Sequence, residues 1–162
     1  MSRYEKFAEY YDRLMYDCDY DTWSQSLYTQ LKAQGAETGL DLACGTGKMT
    51  YFLAEHFRMI GIDCSEAMLT QAQQKRKKQG NPLFLCQDMA EFEVFDKVDF
   101  ITAICDGVNY LKGEKIVRKF FRRCYDALRP NGTLFFDVSS EYKLKRMVEE
   151  KFYYEDEAEY TF

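Results

Sequence analysis

Residues 40–50 read LDLACGTGKMT, and this stretch decides the fold. An apolar run leads into two glycines, Gly45 and Gly47, and the residues after them predict the start of a helix. A strand, a glycine turn and a helix in this order begin many nucleotide-binding folds, because glycine lets the backbone approach a ligand closely. The stretch therefore predicts a nucleotide-like ligand and leaves its identity open.

The loop departs from two common phosphate-binding patterns. A P-loop needs G-x-x-x-x-G-K-[ST], whereas this chain has Leu42 at the first glycine position and Met49 after the lysine. The dinucleotide pattern G-x-G-x-x-G has Thr50 at its third glycine position, although Asp63 stands where an acid could hold ribose hydroxyls. The P-loop is excluded, and the dinucleotide match is partial.

Strand and helix patterns alternate on both sides of the loop. Asp21 and Ser65 are predicted to cap helices, Gly35 to end one, and residues 129–132 to form a turn. Such alternation predicts parallel strands with right-handed crossovers, hence an open, doubly wound α/β sheet. Strands are predicted at 39–43, 57–62, 83–86, 98–104 and 133–138, and helices at 4–16, 21–34, 47–56, 65–79, 114–128 and 141–151.

Size and composition fit one domain. Of the 162 residues, we expect 1–36 to form an N-terminal helical cap and 37–162 an α/β ligand-binding region, together one structural unit. The chain shows no apolar run long enough for a membrane span and no signal-peptide core, so we expect a cytoplasmic protein. The net charge of −5 disfavours nucleic-acid binding without excluding it. The basic run at 75–78 is expected to end a helix, since cations complement the helix dipole there.

The cysteines predict no metal site. The chain has six cysteines, none in a C-x-x-C pair, and its one histidine is His56, so zinc-ligand spacing is absent. Four cysteines recur about once per strand–helix unit, at or near the strand exits, where we expect small apolar side chains to pack. The alternative is that one or two line the crevice and react with thiol reagents. The four are Cys44, Cys64, Cys86 and Cys105.

Polar residues, above all acids, follow nearly every predicted strand. Ligands of open α/β sheets bind beyond the carboxyl ends of the strands, so these residues are the candidates for chemistry. They are Asp63 after the second strand, Asp88 and Met89 after the third, Asp106, Asn109 and Tyr110 after the fourth, and Asp137 at the end of the fifth.

As an ordered set, these motifs resemble the class I S-adenosylmethionine-dependent methyltransferases. The family's first motif, an acid and a small residue before G-x-G, is similar to residues 41–47, with Ala43 replacing the usual first glycine. The second and third motifs resemble IGIDCSEAML and LCQDMAEF, which contain Asp63 and Asp88, and the fourth resembles FITAICDGVNYL. LRPNGTLFFDV also fits, so the resemblance runs from about residue 38 to 140.

The resemblance implies S-adenosylmethionine as cofactor and methyl transfer by in-line displacement at its sulfonium. Asp63 would accept from the ribose hydroxyls, Asp88 and the Met89 backbone would flank the adenine, and Asp41 would lie near the cationic amino group. This cofactor has no pyrophosphate, so the loop does not need the third glycine that Thr50 replaces. The full predicted cofactor-binding set is Asp41, Ala43, Gly45, Gly47, Asp63, Cys64, Met68, Asp88, Met89 and Cys105.

The resemblance also implies where the methyl acceptor binds. Substrate-facing residues follow the fourth strand, and the N-terminal helix covers the cofactor, so the predicted catalytic residues are Asp106, Asn109, Tyr110 and Tyr11. The alternative for each is structural: a turn at Asp106, with Tyr110 and Tyr11 packed in the core. A small-molecule acceptor leads the hypotheses. An RNA or DNA methyltransferase, a non-catalytic cofactor-binding module and an NAD-dependent oxidoreductase are the alternatives.

The predicted strand count falls short of the family's. Sheets of the family have seven strands, the last two antiparallel, whereas five are predicted here, so we expect the terminal pair to be missing or incomplete. An unpaired edge strand exposes free backbone groups. The sequence therefore predicts self-association through an open sheet edge.

Overall fold

Five parallel strands form the central sheet in the computed structural model of this chain. The structure describes residues 3–15, 20–76, 80–149, 156–157 and 160–161. The strands are β1 (Thr38–Leu42), β2 (Arg58–Asp63), β3 (Leu83–Cys86), β4 (Val98–Ala103) and β5 (Leu128–Phe136), in the sheet order β3-β2-β1-β4-β5. Every pairing in this sheet is parallel, which confirms the predicted open α/β sheet.

The chain reverses its direction of travel across the sheet next to β1. It runs outward from β1 through β2 to β3, then returns to β4 on the other side of β1 and continues to β5. Open α/β folds bind ligands at such a switch point, beyond the carboxyl ends of the strands. The loop that follows β1 begins at this point.

The two faces of β1 carry different residues because side chains alternate along a strand. Leu40 and Leu42 are fully buried in a core cluster with Ile101. The opposite face carries Gly39 and Asp41. A Cβ on Gly39 would lie only 2.2 Å from the Phe100 ring. Glycine at this position therefore makes room for the Phe100 ring, which belongs to a second buried cluster with Leu31 and Leu53.

Helices cover both faces of the sheet, as a doubly wound fold requires. Two of them bury Leu31 and Leu53 with Phe100, and a third buries Phe120 on the side of Leu40. The helices are α1 (Arg3–Leu14), α2 (Tyr20–Ala33), α3 (Lys48–Ala54), α4 (Glu66–Gln74), α5 (Glu114–Ala127) and α6 (Glu141–Glu149), with a 3-10 turn at Gly107–Tyr110. A separate antiparallel pair, β6 (Asp156–Glu157) with β7 (Tyr160–Thr161), does not extend the main sheet.

Two local predictions were wrong, and a third was right about the turn but not about its place in the sheet. Asp21 is not an N-cap, because α2 already includes Tyr20, which is buried in the core. Helix α4 ends at Gln74, with Lys75 as its C-cap, so the basic run at 75–78 does not end that helix as predicted; residues 77–79 lie outside the described residues. The turn predicted at 129–132 is present, but it interrupts β5 instead of preceding it. Residues 129–132 bulge out between the pairs Val98–Leu128 and Phe100–Thr133, and Asn131 has a φ of 67°.

Two further expectations concern the whole chain. The division into a cap at 1–36 and a ligand-binding region at 37–162 stays a prediction. Within the described residues, none of the helices has the length and apolar character needed to cross a bilayer.

Candidate functional site

The loop after β1 turns sharply through three left-handed residues. Ala43, Gly45 and Gly47 have φ values of 54°, 54° and 77°. This conformation costs a non-glycine residue about 1–2 kcal/mol, so Ala43 must be held by its surroundings. Next to it, the Cys44 N–H donates to the Ile62 carbonyl of β2 at 3.0 Å. The loop is thus fixed to the neighbouring strand exit.

Tyr11 of α1 lies over this loop. A Cβ on Gly45 would lie 3.8 Å from the Tyr11 ring, and the described residues place no other heavy atom within 4 Å of it, chain neighbours aside. The Gly45 backbone therefore faces the Tyr11 ring with no other side chain of the described residues between them. The predicted covering of the loop by the N-terminal helix agrees with this placement, and a ligand contact of Tyr11 stays a prediction.

Asp63 joins the β1 loop to the exit of β2. One carboxylate oxygen accepts from the Gly45 N–H at 2.8 Å, and the other accepts from the Ser65 N–H at 2.8 Å. Each carboxylate oxygen can accept more than one hydrogen bond, so both keep capacity for a ligand. Ser65 is the predicted N-cap of α4 and accepts from the Met68 N–H at 3.3 Å, which confirms that prediction.

Asp41 is buried beneath the loop, with 2% of its surface exposed. The Thr50 hydroxyl donates to one of its carboxylate oxygens, and the Thr102 hydroxyl donates to the other at 2.7 Å. Burial raises the pKa of Asp41 to about 6, although both hydrogen bonds act in the opposite direction. Thr50, which occupies the third glycine position, is therefore a hydrogen-bond partner of the buried acid.

The exit of β3 adjoins that of β2. The Gln87 N–H donates to the Asp63 carbonyl at 3.1 Å. Asp88 is exposed, and one of its carboxylate oxygens accepts from the Ala90 N–H at 2.7 Å, whereas Met89 is buried in the core. The predicted pair is thus split: the Asp88 carboxylate faces solvent, and the Met89 side chain packs inward.

Two of the strand-exit cysteines do not pack as predicted. Cys64 and Cys86 are exposed, because β3 is an edge strand and its exit is uncovered. Burial raises the pKa of Cys64, and Asp63 and Asp88 raise it further, so its thiol is a weak nucleophile at neutral pH. Cys105 is half-buried, with its Sγ donating to the Tyr20 hydroxyl at 3.1 Å.

Asp106 follows β4 and is surrounded by donors. Its carboxylate accepts from the Ser139 hydroxyl at 2.7 Å, the Asn109 amide at 2.9 Å and the Lys143 ammonium at 3.1 Å. The hydrogen bond from Ser139 lowers the Asp106 pKa, and Lys143 lowers it further against the effect of burial. Asp106 is therefore ionised at neutral pH and a poor general base.

The short 3-10 turn after Asp106 presents its last residues to solvent. Tyr110 is 80% exposed, so the alternative that it packs in the core is wrong. Gly107 is buried against the β1 loop, since a Cβ on Gly107 would lie 3.0 Å from the Cβ of Ala43. The exit of β4 thus contacts the same loop that Asp63 contacts from β2.

A contact between α1 and the loop was missed by the sequence analysis. Asp12 accepts from the Thr46 hydroxyl and forms an ion pair with Lys75, whose ammonium also donates to the Thr46 carbonyl at 3.1 Å. Lys75 was read only as part of a helix-ending basic run. Also missed were the partners of the predicted acids, namely Thr50, Thr102, Asp137, Ser139 and Lys143. Their contacts join distant segments, so no local pattern reveals them.

The structure therefore brings four strand exits together in one arc. The β1 loop touches the β2 exit through Gly45 and Asp63 and the β4 exit through Ala43 and Gly107, and the β2 exit bonds the β3 exit. In the part of the chain that the structure describes, no group of three acidic, histidine or cysteine residues could hold a metal ion. A doubly wound sheet with glycines and acids at these exits defines a cofactor-binding protein of the Rossmann-like class.

The chain belongs to the methyltransferase-domain family, whose model matches residues 40–132. A curated protein from Geobacillus sp. (strain WCH70), provisionally named a methyltransferase, is 40% identical over 98% of this chain and 66% of its own. The crystal structure of an S-adenosylmethionine-dependent methyltransferase from Clostridium acetobutylicum ATCC 824 is 33% identical, with a TM-score of 0.83 over 97% of this chain and 66% of its own.

A more distant structure shares the fold alone. The sugar N-methyltransferase from Streptoalloteichus sp. ATCC 53650 is 24% identical, with a TM-score of 0.72 over 80% of this chain and 53% of its own. The chain thus spans about half to two thirds of the length of these relatives.

Proposed function

We propose that this chain is a cytoplasmic methyltransferase domain that uses S-adenosylmethionine and passes the methyl group to a small-molecule acceptor. The observation that carries the proposal is the placement of Asp63. Its carboxylate bridges the Gly45 N–H of the β1 loop and the Ser65 N–H at the start of α4, at the switch point of the sheet. Membership of the methyltransferase-domain family supports the assignment.

The residues at the strand exits suit this cofactor. Asp63 keeps acceptor capacity for ribose hydroxyls, and hydrogen bonds to a charged group contribute about 1.5–3 kcal/mol each. The exposed Asp88 carboxylate suits an adenine amino group. The bare backbone at Gly45 suits a close approach of the methionine part, because a φ of 54° favours glycine and no side chain projects from it. Asp41 would attract the cationic amino group from below.

In this proposal, the protein acts mainly by orientation. Bound S-adenosylmethionine supplies the methyl group on a sulfonium that is already a good leaving group. Asp106 is ionised and fixed by three donors, so it orients the acceptor through hydrogen bonds rather than removing a proton. Asn109 and the exposed Tyr110 follow Asp106 in the chain and would also contact the methyl acceptor. Positioning of this kind supplies much of the rate of a bimolecular displacement.

A small acceptor is favoured over nucleic acid by the charges on α5. A nucleic-acid face requires unpaired cations that can neutralise phosphates. Four of the basic side chains of α5 instead each have a carboxylate partner: Arg118 with Glu114, Lys119 with Glu91, Arg122 with Asp126, and Arg123 with Glu93. Self-association through β5 is part of the proposal, because β5 is an edge of the sheet in the described residues.

Calorimetric titration with S-adenosylmethionine, S-adenosylhomocysteine, NAD and ATP tests the proposal. We expect the first two to bind and Asp63→Ala to weaken their binding about tenfold or more, since a charged hydrogen-bond partner is lost. Asp126→Ala is the matched control, because Asp126 is an exposed acid at the end of α5 and should leave affinity unchanged. Binding of NAD without either methionine cofactor, or an unaffected Asp63→Ala variant, would overturn the proposal.

A further inference from the structure

Two adjacent residues at the exit of β4 adopt a conformation that side chains disfavour. Cys105 and Asp106 have φ values of 64° and 60°. Both carry a Cβ, which the left-handed region places close to the backbone. Such a conformation persists only where the surrounding structure holds it, and it is typical of functional sites.

The holding contact comes from the exit of β5. The Asp106 N–H donates to both carboxylate oxygens of Asp137, each at 3.1 Å. Asp137 directly follows the last residue of β5 and is half-buried. Because strands β4 and β5 are paired up to Ala103 and Phe136, this pairing holds the Asp137 carboxylate beside the turn at Cys105 and Asp106.

The side chain of Asp106 is held as well as its backbone N–H. The Asp106 carboxylate accepts from Ser139 and Lys143, both of which follow Asp137 in the chain, and from Asn109. Segment 137–143 therefore fixes the backbone of Asp106 through Asp137 and its side chain through Ser139 and Lys143. Asp106 has its backbone N–H and its carboxylate engaged at once.

The fixed turn packs against the loop after β1, which is the loop proposed to hold the cofactor. Gly107, the next residue, is so close to Ala43 that an added Cβ would lie 3.0 Å from the Ala43 Cβ. Ala43 is itself in the left-handed region, at the start of the loop that leads to Gly45. A shift of the β4 exit would therefore move or release Ala43.

We propose that Asp137 is a positioning residue for the cofactor loop, which acts through the Asp106 N–H and the contact of Gly107 with Ala43. It does not touch the cofactor in this scheme. The inference rests on the proposed function only in its choice of S-adenosylmethionine and S-adenosylhomocysteine as probes. It adds to the predicted cofactor-binding set a residue from β5, the strand that is separated from β1 by β4.

The test compares Asp137→Ala with Asp137→Asn in the ligand-free chain and in calorimetric titrations with both probes. Asp137→Ala removes the acceptor, and we expect affinity to fall about tenfold, which is about 1.4 kcal/mol. Asp137→Asn keeps one acceptor oxygen, and we expect affinity within about threefold of the wild type. Asp126→Ala is the matched control, because Asp126 is an exposed acid in an ion pair of α5, and we expect its affinity to equal that of the wild type. All titrations are made well below each variant's unfolding midpoint.

A rescue variant separates positioning from direct contact. Glycine adopts the left-handed region without penalty, so we expect Asp137→Ala to lose much less affinity in a Cys105→Gly background, relative to Cys105→Gly alone, than it loses in the wild type. Amide hydrogen exchange in the ligand-free chain gives a second readout. We expect faster exchange at Cys44, whose N–H bonds Ile62, in the Asp137→Ala variant.

The outcomes distinguish this inference from the proposed function. If the wild type binds neither probe, the proposed function fails, and unchanged Cys44 exchange in Asp137→Ala would overturn the inference as well. If the wild type binds and Asp137→Ala binds equally well, the inference alone is overturned. It is also overturned if Asp137→Asn is as weak as Asp137→Ala and the loss is no smaller in the Cys105→Gly background, because Asp137 would then contact the cofactor itself.

Discussion

Replacing Asp41 with asparagine is expected to change how the stability of the protein depends on pH. Burial raises the Asp41 pKa from its ordinary 3.8 to about 6. The folded state therefore binds this proton more tightly than the unfolded state, and protonation stabilises the fold. At about 1.36 kcal/mol per pH unit, the difference corresponds to about 3 kcal/mol. This stabilisation is present below about pH 4 and is lost as the pH rises through about 6.

Denaturant unfolding at several pH values between 4 and 8 measures the effect. Asparagine is neutral throughout, so the other titrating groups cancel when the two proteins are compared at each pH. We expect the free energy of unfolding of the wild type to fall by about 3 kcal/mol relative to Asp41→Asn over that range. Asp126→Asn, in an exposed ion pair of α5, serves as control and should change the difference by a few tenths at most. Parallel curves for wild type and Asp41→Asn would refute the reasoning.

The same carboxylate gives a second readout if a cationic ligand group binds near it. A cation favours the ionised form of Asp41, so binding of S-adenosylmethionine near pH 6 would release a proton. Titration calorimetry in buffers of different ionisation enthalpy detects this release. We expect it in the wild type and not in Asp41→Asn. Equal enthalpies in both buffers for the wild type would remove Asp41 from the cationic end of the site.

Two further substitutions test the hydrogen bonds that hold the sheet. Thr50→Val removes a hydrogen-bond donor to Asp41 at nearly constant volume, so we expect the free energy of unfolding to fall by about 1–3 kcal/mol. The exposed Thr70→Val serves as control and should change it little. Equal losses in the two variants would contradict this prediction. Although burial opposes ionisation of Asp99, hydrogen bonds from the Glu37 and Thr38 backbones and from Arg129 lower its pKa to about 2. Asp99→Asn is therefore expected to lower the free energy of unfolding by about 2 kcal/mol at pH 7. This loss should disappear as the pH falls from about 4 to about 2, and the affinity for S-adenosylmethionine should not change. A loss that does not depend on pH would contradict this prediction.

The elements with a local signal were predictable from the sequence. Strand β3 was placed at its observed bounds, because an apolar run ends at polar residues. Ser65 was predicted as an N-cap, and Gly35 was predicted to end α2 and has the expected φ of 71°. Asp63 was located by its position after β2. Each of these depends on neighbours within a few residues, which a sequence displays directly.

Contacts between distant segments were not predictable in the same way. Asp12 and Lys75 are 63 residues apart, and Asp106 and Asp137 are 31 apart. Their pairing follows from how the strand exits meet in space, which one sequence does not show. The turn chemistry at 129–132 was recognised, but the onset of pairing between Val98 and Leu128 extends β5 past it. Pairing with β4 therefore starts before the turn and resumes after it at Thr133, so the turn interrupts the strand.

The contact of Asp12 with Thr46 and Lys75 couples the order of the N-terminal helix to that of the loop. Helix α1 has 12 residues, a length at which isolated helices are only marginally stable in water. Its helicity therefore depends on tertiary contacts, including those with the β1 loop and Lys75. Any ligand that orders the loop also shifts the helix–coil equilibrium of α1, and melting of α1 lowers the apparent affinity of the loop. The folding of α1 and the binding of a ligand by the loop are therefore thermodynamically coupled.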